Sequence, residues 1–212
     1  LKPLKLASDG PFGKFDEAQL QRGFAVYQGV CASCHAIKQV AYRDLEKLGY
    51  NEAEVKAIAA KATIAAKDPL TGEVKDRPGL PADKFPPVVY AGVGNPPDLS
   101  LITKARHGGA AYVYSLLTGY EASQPAELVK KFPDSKTGEN MHYNPYFANL
   151  NIAMAPPLAS DDMVTYSDGT KATKDQMAQD VAAFLVWTAE PELEKRHQTG
   201  LVWLLFMVFA TV

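Results

Sequence analysis

Leu20, Phe24, Tyr27 and Cys31 recur at the spacing of one helical face, and Asp16 with Gln19 gives that helix a capping-box-like start. Gly23 inside it would ordinarily weaken it. Here it leaves room for another helix to cross closely. The pattern predicts a second helix from Asn51 to about Lys67, with Asn51 and Glu54 as a capping pair and alanines dominating its face. Asp98 is placed to cap a short helix through Arg106, and Ala110 to Thr118 reads as a helix ended by Gly119. A last helix should start near Thr173 or Lys174, put Met177, Val181, Phe184, Leu185 and Thr188 on one face, and stop before Pro191. Val164 to Lys171 predicts a small hairpin turning at Asp168-Gly169. The stretches 68–98 and 120–150, rich in Pro, Gly and Asn, are expected as long loops. There is no internal repeat and no low-complexity tract.

The other end has a different pattern. From Gln198 onward no residue is charged, and Leu201 to Val212 is apolar on every side. A spanning helix needs about 20 apolar residues, more than this run supplies. A buried terminal helix or strand is one reading. The start of a truncated membrane anchor is the preferred one, because the run is apolar all round, carries Trp203 near its entrance and has no polar cap. Lys195 and Arg196 precede it, but without the far flank the charge count gives no orientation. The expected division is a domain over 1–195, then a linker and the beginning of an anchor over 196–212.

Composition narrows the class. The 212 residues are 47% hydrophobic with a net charge of −2, an ordinary globular balance that can bury one sizeable core. So even a charge balance argues against a nucleic-acid partner.

The chemistry is concentrated in Cys31-Ala32-Ser33-Cys34-His35, which reads as a covalent attachment site for a c-type haem. Two thiols three positions apart can form thioethers with the two vinyl groups of one porphyrin, and the adjacent imidazole then serves as proximal ligand. A thiol–disulfide pair and half of a zinc site are the rivals. Cys31 and Cys34 are the only cysteines, and no second ligand pair stands at finger-like spacing. A redox dithiol normally opens a helix after a strand, whereas an apolar helical stripe precedes this motif. With haem in place both thiols would be consumed and none would remain for a disulfide. Such attachment belongs to exported compartments, so the expectation is a periplasmic or equivalent location. The chain opens at Leu1 without a basic segment followed by an apolar run, which suggests a mature protein whose leader has been removed.

Iron then needs a sixth ligand or an open site, and methionine both raises the potential and closes the iron. Of five methionines, Met207 lies in the apolar end, Met177 on the inner face of the last helix and Met163 beside the expected hairpin. Met141 and Met154 lie in loop-like sequence. Met154 is the better candidate, since Pro156 and Pro157 stiffen the backbone behind it; His107 and His142 are the alternatives.

Taken together, Cys31 to His35, Asn95-Pro96-Pro97-Asp98-Leu99-Ser100, Lys104-Ala105-Arg106, Tyr143-Asn144-Pro145-Tyr146-Phe147 and Ile152-Ala153-Met154-Ala155-Pro156-Pro157-Leu158 resemble the cytochrome c1 family. These are the haem subunits of the quinol–cytochrome c oxidoreductase, or bc1, complex. The resemblance runs through Trp187-Thr188-Ala189-Glu190-Pro191 into the apolar end, and so covers essentially the whole chain.

The resemblance implies a mainly α, class I cytochrome c-like haem domain with long loops and a small hairpin, plus the start of a C-terminal transmembrane helix. It implies one haem c bound covalently through Cys31 and Cys34, with His35 and Met154 as axial ligands. Met154 then precedes the terminal helix, as the sixth ligand does in small class I cytochromes c. Arg106 matches the arginine that faces a haem propionate, and Tyr112 joins it. Pro97-Asp98-Leu99 resembles the Pro-x-Leu element whose proline carbonyl accepts the proximal histidine's Nδ1–H, a bond that fixes the ring and raises its basicity.

The implied activity is outer-sphere electron transfer from the Rieske iron–sulfur protein to a soluble cytochrome c, beside cytochrome b and the lipid bilayer. Glu121, Glu127, Asp134, Glu139, Asp161 and Asp162 could steer a basic partner, though each is individually an ordinary solvated charge. The segment Pro86 to Asn95 is shorter than in mitochondrial members, and the extra cysteine pair of some bacterial members is missing. Both departures point to a bacterial protein, at the inner membrane with its haem domain on the periplasmic side. The competing class is a stand-alone, membrane-tethered cytochrome c acting as carrier or haem sensor.

Overall fold

Helix α1 (Glu17–Val26) starts at Asp16, whose carboxylate accepts the Gln19 N–H at 3.1 Å and so satisfies a first-turn amide. Gln19 does not return the bond as a capping box would. Its Nε2 reaches Asp180 instead, at 3.2 Å. Past Val26 the helix relaxes into a π turn, Tyr27–Cys31, with Ala32 N bonded to Tyr27 O at 2.8 Å. That wider turn leads the chain out at the first cysteine. The computed structural model describes residues 1–92 and 94–212.

The partner of α1 is the long helix α6 (Lys174–Ala189), capped by the Thr173 hydroxyl on Gln176 N. Met177, Val181, Phe184, Leu185 and Thr188 are all buried, as the periodicity predicted. The two helices meet at Gly23. A Cβ there would overlap the Asp180 carbonyl oxygen and lie 2.6 Å from Phe184 Cβ, closer than real side chains approach. The absent side chain is what permits the crossing, and aromatic bulk fills the space around it. The Phe24 and Phe184 rings stand 5.6 Å apart, and Phe184 stacks on Trp187 at 5.7 Å.

A buried carboxylate lies at the same crossing. Asp180 is fully buried; it accepts from Arg22 Nε at 3.0 Å and from Gln176 Nε2 at 2.9 Å, besides Gln19. A buried charge costs several kcal/mol unless it is paired and bonded, and this one has donors from both helices.

Other elements surround this pair. A 3₁₀ turn, Tyr42–Leu48, leads to α2 (Glu52–Ala60), where Asn51 and Glu54 form the predicted reciprocal capping box. Here the structure departs from the expected helix to Lys67. Thr63–Lys67 is strand β1, paired antiparallel with β2 (Val74–Pro78), so stretch 68–98 is not all loop. Thr63 and Ile64 are β-branched, and Asp68 accepts from Leu70 N and Thr71 N to fold the turn. Arg77 at the hairpin's base forms a two-pronged pair with Asp83, and that pair holds the Asp83 carboxyl down at about 2.

Helix α3 is shorter than expected, Ile102–Ala105, and Asp98 does not cap it. Helix α4 (Gly109–Thr118) ends at Gly119 as predicted and packs with α3 on α6, where the Thr103 hydroxyl donates to Leu185 O at 3.1 Å. Stretch 120–150 also carries more order than predicted: α5 (Ala126–Lys131), a 3₁₀ turn at Pro133–Ser135, and strand β3 (His142–Tyr143) paired with β4 (Asn151–Ile152). The expected hairpin over 164–171 is a turn without strand pairing. Asp168 spends its carboxylate on Thr170 N and Arg22 rather than leaving a free two-residue loop.

Helix α7 (Leu193–Thr211) begins against the body, with Leu193 buried and Glu194 accepting Phe15 N at 2.9 Å. His197 still reaches Gly13 O at 3.2 Å, but the far end is bare: every residue from Leu201 to Phe209 is exposed. Among the described residues no helix is long and apolar enough to cross a membrane.

Gly23→Ala should force α1 from α6 and lower the urea midpoint of the haem-loaded protein by the equivalent of roughly 1–3 kcal/mol. Lys61→Ala, at an exposed position after α2, should be nearly silent. Equal effects at the two positions would remove the crossing from the account.

Candidate haem site

The π turn presents Cys31, and one further turn of backbone presents Cys34 and His35, because Cys34 N and His35 N both bond to Cys31 O, at 3.1 and 2.8 Å. Tyr27, one turn back, donates its hydroxyl to His35 O at 3.0 Å. Burial raises the Tyr27 hydroxyl's pKa, which keeps it a donor.

His35 is held from its other side by the segment Pro97–Ser100. His35 Nδ1–H donates to Pro97 O at 2.7 Å, and Leu99 N donates to Ala36 O at 2.8 Å. Lys38 N then donates to Asp98 Oδ2 at 2.9 Å and Gln39 N to Ser100 Oγ at 3.0 Å, while Asp98 Oδ1 takes Ser100 N. Asp98, expected as a helix cap, is the pin of this clasp. With Nδ1 engaged, only Nε2 of His35 remains for an external ligand.

Both cysteines are free thiols. Burial, reinforced by the neighbouring Cys34, pushes the Cys31 thiol up to about 12. A redox dithiol is favoured by the opposite shift. Among the described residues no group of three or more His, Cys, Asp and Glu could hold a metal ion, so the turn lacks the further ligands of a zinc site. Two free thiols on one turn, with an oriented imidazole beside them, do fit a c-type haem.

The remaining sequence candidates are spread over three segments. Arg106 is exposed just after α3, its guanidinium donating to Ala105 O at 3.1 Å. Tyr112 is half-buried on α4, close enough to Tyr120 to add to the rise that burial gives the Tyr120 hydroxyl's pKa. Met154 is half-buried two residues after β4, and its carbonyl accepts the Tyr120 hydroxyl at 3.0 Å. His107 is exposed and His142 sits in β3, edge-on to the Tyr120 ring at 6.5 Å. A cavity of about 880 Å³ is lined by Tyr120, His142 and Leu158 among others, but not by Cys31, Cys34 or His35.

Sequence reasoning missed Tyr27, Ser100 and Tyr120. Each acts on backbone, Tyr27 and Tyr120 through a carbonyl and Ser100 through an amide, and such a partner has no side-chain signature.

A helical domain that clasps a Cys-x-x-Cys-His turn against a proline carbonyl is that of a c-type cytochrome. Within that class the chain belongs to the cytochrome c1 family, whose model matches residues 6–212. Members of this family are the haem-bearing electron-transfer subunits of the bc1 complex. Cytochrome c1 of Rhodospirillum rubrum is 46% identical over 93% of this chain and 78% of that protein. A mitochondrial cytochrome c1 haem protein of Arabidopsis thaliana is 44% identical over 95% of this chain and 66% of its own length. That of Saccharomyces cerevisiae is 45% identical over 91% and 62%. The chain therefore spans about two thirds of the mitochondrial relatives.

Asp98→Ala should leave Cys31, Cys34 and His35 in sequence but unpin the clasp. The expected cost is about 1–3 kcal/mol in the urea midpoint of the haem-loaded protein, because two amides lose a charged acceptor. An unchanged midpoint would mean that the Pro97, Leu99 and Ser100 bonds hold the loops without Asp98.

Proposed function

We propose that this chain is the haem-carrying subunit of a quinol–cytochrome c oxidoreductase, taking electrons from a Rieske iron–sulfur protein and delivering them to a soluble cytochrome c beside cytochrome b. The observation that carries the reading is the bond from His35 Nδ1 to Pro97 O. It fixes one imidazole next to two free thiols in a chain of the cytochrome c1 family.

Bound haem supplies a one-electron couple that reacts without breaking a bond. Everything else falls to the protein. Cys31 and Cys34 would hold the group through thioethers, and Pro97 O keeps the His35 proton on Nδ1 so that Nε2 would be the nitrogen left for the iron. Met154 would supply a second iron ligand, a soft thioether that favours the ferrous state. Arg106 offsets a propionate's charge, and Tyr112 joins it.

Helix α7 is read as part of a membrane anchor. Its residues from Leu201 to Phe209 expose apolar surface on every side, which water does not favour and hydrocarbon does. The domain over 1–195 then stands on the periplasmic side of a bacterial inner membrane, with residues 196–212 leading into the bilayer.

Purification of the full-length protein from its native membranes, by a tag on this chain, tests the assembly. A b-type haem protein and a 2Fe–2S protein should co-purify, and added quinol should reduce the c-type haem. A c-type haem isolated alone, and unreduced by quinol, would overturn the reading.

In the same preparation Met154→Leu should keep its haem covalently bound. The midpoint should fall by on the order of hundreds of millivolts, and the weak red thioether–iron band should vanish. Retention of that band would remove Met154 from the site.

A further inference from the structure

We propose that Tyr120 is a positioning residue: its hydroxyl bond to the Met154 carbonyl holds the ligand loop in place and so keeps the sixth iron position closed against other ligands. The proposal rests on the reading of Met154 as axial ligand.

The loop has little else to hold it. Pro156 and Pro157 carry no N–H. Among the described residues, the Tyr120 hydroxyl makes the only hydrogen bond to the backbone from Ala153 to Ala159, at 3.0 Å to Met154 O. Upstream the restraint is dense. Ile152 pairs with His142 in the two-residue ladder, and Asn151 is tied to Thr137 Oγ1 at 2.7 Å and Ser135 O at 2.9 Å. The chain is thus anchored up to Ile152, and Tyr120 supplies the next fixed point two residues on.

The anchor itself is rigid. Tyr120 leaves α4 directly after Gly119, where a Cβ would run into the Tyr146 ring. The same helix end holds the ladder's other side, through Asn144 Nδ2 to Leu116 O at 2.8 Å. One end of α4 therefore fixes β3 through Asn144 and the Met154 loop through Tyr120.

Losing a single neutral hydrogen bond of this kind is worth about tenfold in an equilibrium. A neutral thioether is displaced when its loop can swing, so an added ligand competes with Met154 for the sixth position. Free imidazole is the probe.

In haem-loaded, full-length protein, Tyr120→Phe removes the hydroxyl and keeps the ring. Its ferric form should bind imidazole about tenfold more tightly than wild type, with the red thioether band present before imidazole is added. Replacing Tyr120 by 3-fluorotyrosine keeps the shape and strengthens the donor, and should weaken imidazole binding. This second variant answers the question even if Tyr120→Phe matures poorly.

Unchanged imidazole affinity in Tyr120→Phe, with only a lowered thermal midpoint, would reduce Tyr120 to ordinary packing and overturn the proposal. So would unchanged or tighter imidazole binding in the 3-fluorotyrosine protein. Met154→Leu separates the two levels of inference. If it binds imidazole no more tightly than wild type and keeps the red band, the ligation reading fails and the Tyr120 proposal falls with it. If Met154→Leu binds tightly while Tyr120→Phe does not, only the Tyr120 proposal fails.

Discussion

The clasp between His35–Gln39 and Pro97–Ser100 is the constraint on which the site depends. Its innermost bond, His35 Nδ1 to Pro97 O at 2.7 Å, fixes the proton and the plane of the imidazole together. Three further bonds from backbone amides cross between the two segments, and a fourth, Ser100 N to Asp98 Oδ1, shapes the second segment from within. A histidine beside two thiols is only a composition. Pinned through Nδ1, it has one nitrogen left to offer.

That clasp must be presented by something stiff, and the crossing of α1 with α6 provides it. Two effects compete there. Aromatic packing of Phe24, Phe184 and Trp187 around Gly23 stabilises the crossing, whereas burying Asp180 costs several kcal/mol that its donors at best offset. Packing therefore supplies the stability. The Asp180 bonds to Arg22, Gln19 and Gln176 fix the register instead, since any slip would leave a buried charge without donors. Exposed pairs such as Lys56–Glu52 contribute little by comparison.

Much of this was legible in sequence because the decisive patterns are local. The Asp16 and Asn51 caps, the buried face of α6 and the use of Gly23 follow from spacing alone. The expected helix through Lys67 failed where alanines gave way to Thr63 and Ile64 and a turn at Asp68 made strand pairing available. The expected hairpin at Asp168-Gly169 failed because Arg22, 146 positions away, engages Asp168. Tyr120 was invisible for a related reason: it bonds to a main-chain oxygen 34 residues on, and nothing in residue type marks that contact. Side-chain chemistry of the site could be read from the chain, but the restraints that position it are mostly long-range and fall on backbone.

The two side chains proposed as iron ligands are each held from outside their own segments, His35 by Pro97 O and the Met154 backbone by the Tyr120 hydroxyl. Closing the iron from both sides suits electron transfer, because nothing then has to bind or leave when the charge changes. X-ray absorption at the iron edge of the haem-loaded protein addresses this directly. The account predicts a sulfur neighbour to iron beside the porphyrin and imidazole nitrogens, in the ferric and the ferrous state alike. An iron surrounded by nitrogen alone, or one that loses its sulfur on oxidation, would contradict it.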